Sequence, residues 1–235
     1  MDEKWEELGG GVRLLTDAAH RFGEDALLLA EFARPRKGER CCDLGSGGGI
    51  LAFQWRADGA DNPIDGVDLD AAAVELARQS AAALAAEPPI CFYHRDWNRL
   101  DGVLSAGAYG LVACNPPYFP PGSGRVSQDK IAAAARHESE PELLPRLAKA
   151  AARLLKNSGR FCLCHRPERL CDVLAALRDA GLEPKRLQFV QRDGAAAPWL
   201  FLCEARKGGR PGLAVLPPAL PKPDGNPEKK KEEAR

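Results

Sequence analysis

Short apolar runs of five to seven residues alternate along the chain with longer segments in which alanine and leucine recur at helical spacing. The runs at 40–44, 64–68, 90–94, 110–114, 160–165, 185–191 and 199–205 predict strands. Between them, 71–86, 141–156 and 167–180 predict helices, with Val74, Ala77 and Ala81 on one face of the first and Leu143, Leu147 and Leu154 on one face of the second. Ser139 followed by Glu142 fits a capping box that opens the second helix, while Gly159 and Gly181 fit helix stops. Strands in alternation with helices predict an α/β protein, a doubly wound and mostly parallel sheet of seven strands with helices on both faces.

Two segments frame this core. Ahead of the first strand, Trp5–Leu15 predicts a small hairpin around Gly9-Gly10-Gly11, and Glu24–Phe32 an apolar helix. Residues 1–34 therefore form an extension that the core does not need and that is available to wall a site. The core itself spans 35–207. Residues 208–235 are expected to form a disordered tail, Pro-, Lys- and Glu-rich from Pro217 on. Inside the core, Phe119–Arg136 is loop-like and long for a compact domain, which marks it as functional or mobile.

Composition narrows the class. A chain of 235 residues, 45% of them hydrophobic, can bury one sizeable core but hardly two. The start is acidic and no run of about 18 apolar residues occurs, so a cytoplasmic protein with no membrane segment is expected, with a monomer as the favoured state. The eight cysteines sit inside apolar runs, as in Arg40-Cys41-Cys42-Asp43 and Phe161-Cys162-Leu163-Cys164, and read as small buried strand residues. Cys162, Cys164 and His165 lack the spacing of a zinc site, so no metal is expected. The net charge of zero hides an asymmetry: residues 1–115 hold 11 Lys/Arg against 19 Asp/Glu, leaving 22 against 14 for the remainder. A basic second half fits a polyanionic partner, and equally well a set of solvated helix faces.

The first strand runs into Asp43-Leu44-Gly45-Ser46-Gly47-Gly48-Gly49, directly before an apolar helix that starts at Ile50. Glycines allow a tight turn and let a ligand lie on bare backbone, and the helix N-terminus adds free N–H groups. A dinucleotide fingerprint starting at Gly45 needs glycine where Ile50 stands, whereas Asp-x-Gly-x-Gly-x-Gly is the pattern of class I methyltransferases. S-adenosylmethionine is the cofactor this predicts, on a Rossmann-like fold. Asp68, at the end of the second strand, is the favoured acceptor for two ribose hydroxyls, with Asp70 a better helix N-cap. Asp96 is the candidate for the cofactor's adenine amine, flanked by Leu69 or Trp97, and Asp43, Gly45, Ser46, Gly47 and Gly49 complete the expected cofactor set.

The fourth strand ends in Asn115-Pro116-Pro117-Tyr118. Two prolines fix φ twice, remove two donors and hold Asn115 extended, so the turn is stiff. An amine conjugated to a ring is a poor nucleophile because its lone pair is delocalised. The Asn115 amide oxygen and the Pro116 carbonyl, gripping its two hydrogens, favour a pyramidal nitrogen, and Tyr118 offers a ring to stack on the flat group. Asn115, Pro116, Pro117 and Tyr118 are thus the expected catalytic residues, with Asn115 also beside the cofactor. No strong general base is needed, since the nitrogen becomes more acidic as it is methylated.

Phe22-Gly23-Glu24-Asp25-Ala26-Leu27-Leu28-Leu29, Ala135-Arg136-His137-Glu138 and His165-Arg166-Pro167-Glu168-Arg169-Leu170, together with the glycine loop and the Asn-Pro-Pro-Tyr turn, resemble the bacterial tRNA1(Val) (adenine-37 N6)-methyltransferase family. The resemblance runs from about Leu14 to Arg206. It implies a methyl acceptor at the N6 amine of an adenine beside the anticodon of one tRNA, with Asp43, Gly45, Gly47 and Asp68 on the cofactor. Candidates to hold RNA phosphates are Arg125, Lys130, Arg136, Arg166, Arg169, Lys185 and Arg186. The turn alone also suits an rRNA guanine N2 or a protein glutamine amide, and a non-catalytic RNA-binding protein on the same fold is a further alternative.

Overall fold

A computed structural model describes residues 3–117 and 143–220. The elements are β1 (Lys4–Gly9), β2 (Val12–Thr16), α1 (Glu24–Phe32), β3 (Cys41–Leu44), α2 (Ile50–Ala57), β4 (Ile64–Asp68), α3 (Ala71–Leu84), β5 (Ile90–His94), β6 (Tyr109–Cys114), α4 (Leu143–Leu154), β7 (Leu155–His165), a 3-10 turn (Pro167–Arg169), α5 (Leu170–Asp179), β8 (Leu182–Val190), β9 (Leu200–Lys207) and β10 (Ala214–Val215). β1 and β2 pair as a separate antiparallel hairpin. The other strands form one sheet in the order β10-β8-β9-β7-β6-β3-β4-β5, parallel except for β9, which runs against both β7 and β8.

Both faces of the sheet are covered, and each strand divides its side chains between them. Cys41 faces the layer of Leu29, Phe53, Trp55 and Val74 from α1, α2 and α3. Its neighbour Cys42 faces the opposite layer of Leu147, Leu154, Val173 and Leu177 from α4 and α5. This period of two on a doubly covered sheet is why the strands read as near-continuous apolar runs and why small, buried cysteines suit them. Burial pushes several of these thiols upward, Cys41 to about 12, so they stay protonated and behave as small apolar groups.

The sheet departs from expectation at one edge. Among the described residues the sheet has eight strands rather than seven, because residues expected in a disordered tail lie against β8: Ala214 and Val215 pair with Arg186 and Leu187, and Gln191 donates to the Ala219 carbonyl. Backbone pairing with an open strand edge requires no apolar sequence, so a Pro-rich segment can occupy it. β8 itself starts at Leu182 rather than 185. Its register shifts between Pro184 and Arg186, and that irregularity is what lets a proline sit inside the strand. Pro167 makes the first turn after β7 a 3-10 turn before α5 begins. Among the described residues, no helix is long and apolar enough to cross a membrane.

Candidate active site

The strand order reverses between β3 and β6, since β3 leads outward to β4 and β5 before the chain returns to β6 on the other side. In open α/β sheets a ligand binds outside the C-terminal ends of the strands at such a point. β3 ends there in the glycine loop and β6 in Asn115.

The loop is tied to β4. Gly45 and Ser46 both donate to the Val67 carbonyl, at 2.8 and 3.0 Å, and Gly47 donates to Asp68 Oδ2 at 2.7 Å. Gly49 caps α2 at φ 92°, a left-handed conformation, and a Cβ there would lie 2.6 Å from the Phe92 ring, so glycine is needed on both counts. Asp68 Oδ1 accepts from the Asp70 amide at 2.8 Å. Each Asp68 oxygen thus has one backbone donor and keeps a further lone pair for a ligand. Burial raises the Asp68 carboxyl above its ordinary range, and these amide donors work against that rise.

Asp43 is different. It is 1% exposed, and neither carboxylate oxygen has a hydrogen-bond partner among the described residues. Burial, with Asp68 nearby, pushes its carboxyl up to about 8. The buried Ser46 hydroxyl is also without a partner there. Unmet acceptors of this kind are costly in a cofactor-free protein and mark where a ligand's donors belong.

Asp96 and Trp97 follow β5. Asp96 Oδ1 accepts from the Asn98 amide and side chain, which holds the carboxylate in place. The Trp97 ring packs on Gly45, 3.1 Å from where a Cβ would stand. Leu69 is 43% exposed at the end of β4, an apolar side chain left open beside this group. Asp70 caps α3 as expected, accepting from Ala72 and Ala73.

A cavity of about 250 Å³ joins Gly45, Ser46, Gly47, Gly48, Ile50 and Leu51 to Asn115, with Leu14, His20, Phe22, Gly23 and Asp25 as its other wall. Asp68, Leu69, Asp96 and Trp97 lie outside that cavity's lining. The N-terminal extension therefore does wall the site. Its anchor is His20, whose ring bridges Asp17 at 2.8 Å and Asp70 at 3.0 Å. Burial alone would raise Asp17, but the His20 and Ala19 donors bring it below its ordinary value.

Asn115 is half-buried, Pro116 buried and Pro117 exposed, while Tyr118 lies outside the described residues. The Asn115 side chain donates through Nδ2 to Asp25 Oδ2 at 3.1 Å and accepts from the Cys164 thiol at 3.0 Å.

A family model described as the methyltransferase small domain matches residues 22–174. The chain belongs to the methyltransferase small-domain family. S-adenosylmethionine is accordingly its cofactor, and an unpartnered buried carboxylate beside open glycine backbone suits a ligand that carries an ammonium and a ribose. Among similar proteins, a tRNA1(Val) (adenine(37)-N6)-methyltransferase from Tolumonas auensis is 31% identical over 192 residues, 80% of this chain and 78% of that protein. One of the same name from Dickeya chrysanthemi is 34% identical over 152 residues, 62% of this chain, which spans 56% of that protein's length. Among solved structures, a predicted O-methyltransferase from Agrobacterium tumefaciens superposes with TM-score 0.65 at 21% identity, covering 86% of this chain and 90% of that one. TrmN from Thermus thermophilus gives 0.55 at 22%, covering 77% and 48%. These likenesses show the Rossmann-like class I methyltransferase fold.

The basic candidates in this family member fall into three groups. Arg125, Lys130 and Arg136 lie outside the described residues. Arg166 and Arg169 follow β7 at the same end as Asn115; Arg166 donates to the Trp199 carbonyl and stacks on that ring, and Arg169 pairs with Asp172. Lys185 and Arg186 sit within β8. Lys185 donates to the Arg210 carbonyl, and Arg186 pairs with buried Glu204 at 2.9 Å while covering the Phe32 ring. Arg186 is thus part of the sheet's own ion pairs, with 36% of its side chain exposed. The sequence reading missed Asp25, Cys164 and His20 as neighbours of the site. None of the three stands out locally, since even Asp25 shares the first turn of α1 with Glu24.

Proposed function

We propose that the chain transfers a methyl group from S-adenosylmethionine to the N6 amine of an adenine in tRNA, at anticodon-loop position 37 of a valine tRNA. One observation carries this: Asn115, at the start of the stiff Asn-Pro-Pro-Tyr turn, lines the same cavity as the glycine loop. An acceptor for a planar amine is thereby placed beside the methyl donor's site. The two relatives above, both named for tRNA adenine N6 transfer, support the choice of amine.

When bound, S-adenosylmethionine supplies an electrophilic methyl. Asp43 is the acceptor for its ammonium, Gly45, Ser46, Gly47 and Gly49 form the bed, Asp68 holds the ribose hydroxyls, and Asp96 with Leu69 and Trp97 takes the adenine. Asn115 and the Pro116 carbonyl grip the two hydrogens of the substrate amine, and Tyr118 stacks on its base, so the rate comes chiefly from positioning. A base in a loop leaves its stack at a cost of only a few kcal/mol, which makes an anticodon-loop adenine easier to present than a paired one. Arg166 and Arg169, which follow β7 at the same end as Asn115, are the described side chains assigned to RNA phosphates.

Purified protein should transfer a labelled methyl to bulk tRNA, and Asn115→Ala should cut that transfer by about 10³-fold, the scale of removing one positioned polar group. Cofactor affinity measured by calorimetry should remain near wild type. Label in protein or rRNA with none in tRNA would overturn the substrate, and undetectable cofactor binding would overturn the enzyme.

A further inference from the structure

A side-chain amide has two ends of similar shape and opposite hydrogen-bonding character. If Asn115 grips a substrate amine, its oxygen has to face that amine, and something has to prevent the amide from turning over. Two neighbours meet it from different elements. Asp25, in the first turn of α1, places Oδ2 3.1 Å from Asn115 Nδ2. A carboxylate has no proton to offer, so it can face only the NH2 end. Cys164, near the end of β7, places its sulfur 3.0 Å from Asn115 Oδ1. Burial holds Cys164 well above the ordinary thiol range, so it is a thiol and faces the oxygen as a donor. Both neighbours select the same orientation, and Asn115 Oδ1 retains one lone pair for a ligand.

The approach of Asp25 is itself built in. Gly23, the N-cap of α1, has an extended backbone at φ −104° and ψ 172°, which any residue adopts. A Cβ at Gly23 would stand 2.4 Å from Asp25 Oδ1. The missing side chain at 23 is therefore the space into which the Asp25 carboxylate folds on its way to Asn115. α1 also favours an acidic group in its first turn through its dipole.

We propose that Asp25 is a positioning residue for methyl transfer, fixing the Asn115 amide with its oxygen toward the substrate amine, with Gly23 as the clearance that makes this possible and Cys164 as the second contact. This rests on the role given to Asn115 above. In this role Asp25 acts through Asn115, so its loss should appear in kcat and leave KM for tRNA intact.

The full chain is assayed with tRNA and S-adenosylmethionine. Asp25→Ala should lower kcat by about 10- to 100-fold, the range for losing one hydrogen bond to a charged group, with KM for tRNA, cofactor affinity and thermal midpoint near wild type. Asp25→Glu should recover part of that loss. Gly23→Ala leaves every charge in place and displaces only the carboxylate, and it should reproduce the Asp25→Ala defect. Combined with Asn115→Ala, Asp25→Ala should cost nothing further, because the group it orients is gone. An unchanged kcat in Asp25→Ala beside an inactive Asn115→Ala would overturn this role and leave the proposed function standing, whereas an active Asn115→Ala would overturn both. An equal loss in both backgrounds would show that Asp25 acts elsewhere, and also overturn it. If Asp25→Ala fails to fold, Gly23→Ala decides: a fall in kcat supports the role, and full activity ends it.

Discussion

Asp65 and Asp43 are buried carboxylates on adjacent strands, β4 and β3, and their surroundings could hardly differ more. Asp65, near the start of its strand, accepts from the Tyr109 hydroxyl at 2.8 Å and from Arg40 Nε at 2.9 Å, and Arg40 stacks on the Tyr109 ring. Nearby, the Arg160 guanidinium pairs with Glu39 at 2.7 Å and Glu204 at 3.3 Å and donates to the Arg34 carbonyl, which leaves its Nε without a partner among the described residues. Asp43, which pairs with Gly66 and so stands only one residue further along, has no partner among the described residues. Burial is equally deep at both sites, so depth does not distinguish structure from function here. Satisfaction does: where the protein supplies the donors, the charge holds the fold together, and where it withholds them, a ligand has to bring them.

The contrast should break most visibly at Arg160. Arg160→Ala leaves the Glu39 and Glu204 carboxylates short of a donor, and chemical denaturation should show a loss of about 3–5 kcal/mol in folding free energy. Asp43→Asn, by contrast, should weaken S-adenosylmethionine binding by about 10- to 100-fold, the scale of one charge-assisted hydrogen bond, in calorimetry. The stability of the cofactor-free protein should be unchanged or raised, because a buried carboxyl with no partner gives way to a group that cannot ionise. A loss of stability in Asp43→Asn would erase the distinction between the two sites.

A smaller and sharper effect lies in pH. Burial, with Asp68 adding, holds the Asp43 carboxyl at about 8, above its value of 3.8 in an unfolded chain. A raised folded value means that the folded state binds the proton more tightly. The stability this contributes is fully present below roughly pH 4 and is lost as pH rises through about 8. Cofactor-free wild type should therefore lose stability relative to Asp43→Asn between pH 5 and pH 8, by an amount on the order of a few kcal/mol at most. Parallel denaturation curves at the two pH values check it, and a gap that fails to widen would mean Asp43 is ionised throughout.

The same division between local and distant chemistry decides what the sequence made legible. The glycine loop and the Asn115 turn could be read because each is a short segment whose backbone demands are written in consecutive glycines or prolines. The two sheet layers could be read from period-two and helical spacing. Asp25 and Cys164 could not, since they reach Asn115 from 90 and 49 residues away and neither is unusual where it stands. Charge counting marked Arg186 as basic surface, but only its pairing with Glu204 shows that the sheet uses it. β10 escaped because a strand held at an edge by backbone bonds needs none of the apolar pattern that betrays a central one. Composition alone made residues 208–220 look like a free tail.

On the proposed function, the site left unsatisfied around Asp43 serves methyl transfer to a tRNA adenine. Nucleoside mass spectrometry of bulk tRNA lacking this modification, after incubation with the purified chain and S-adenosylmethionine, tests it most directly. N6-methyladenosine should appear with wild type and stay near background with Asn115→Ala. A methylated nucleoside other than N6-methyladenosine, or equal yields from the two proteins, would contradict it.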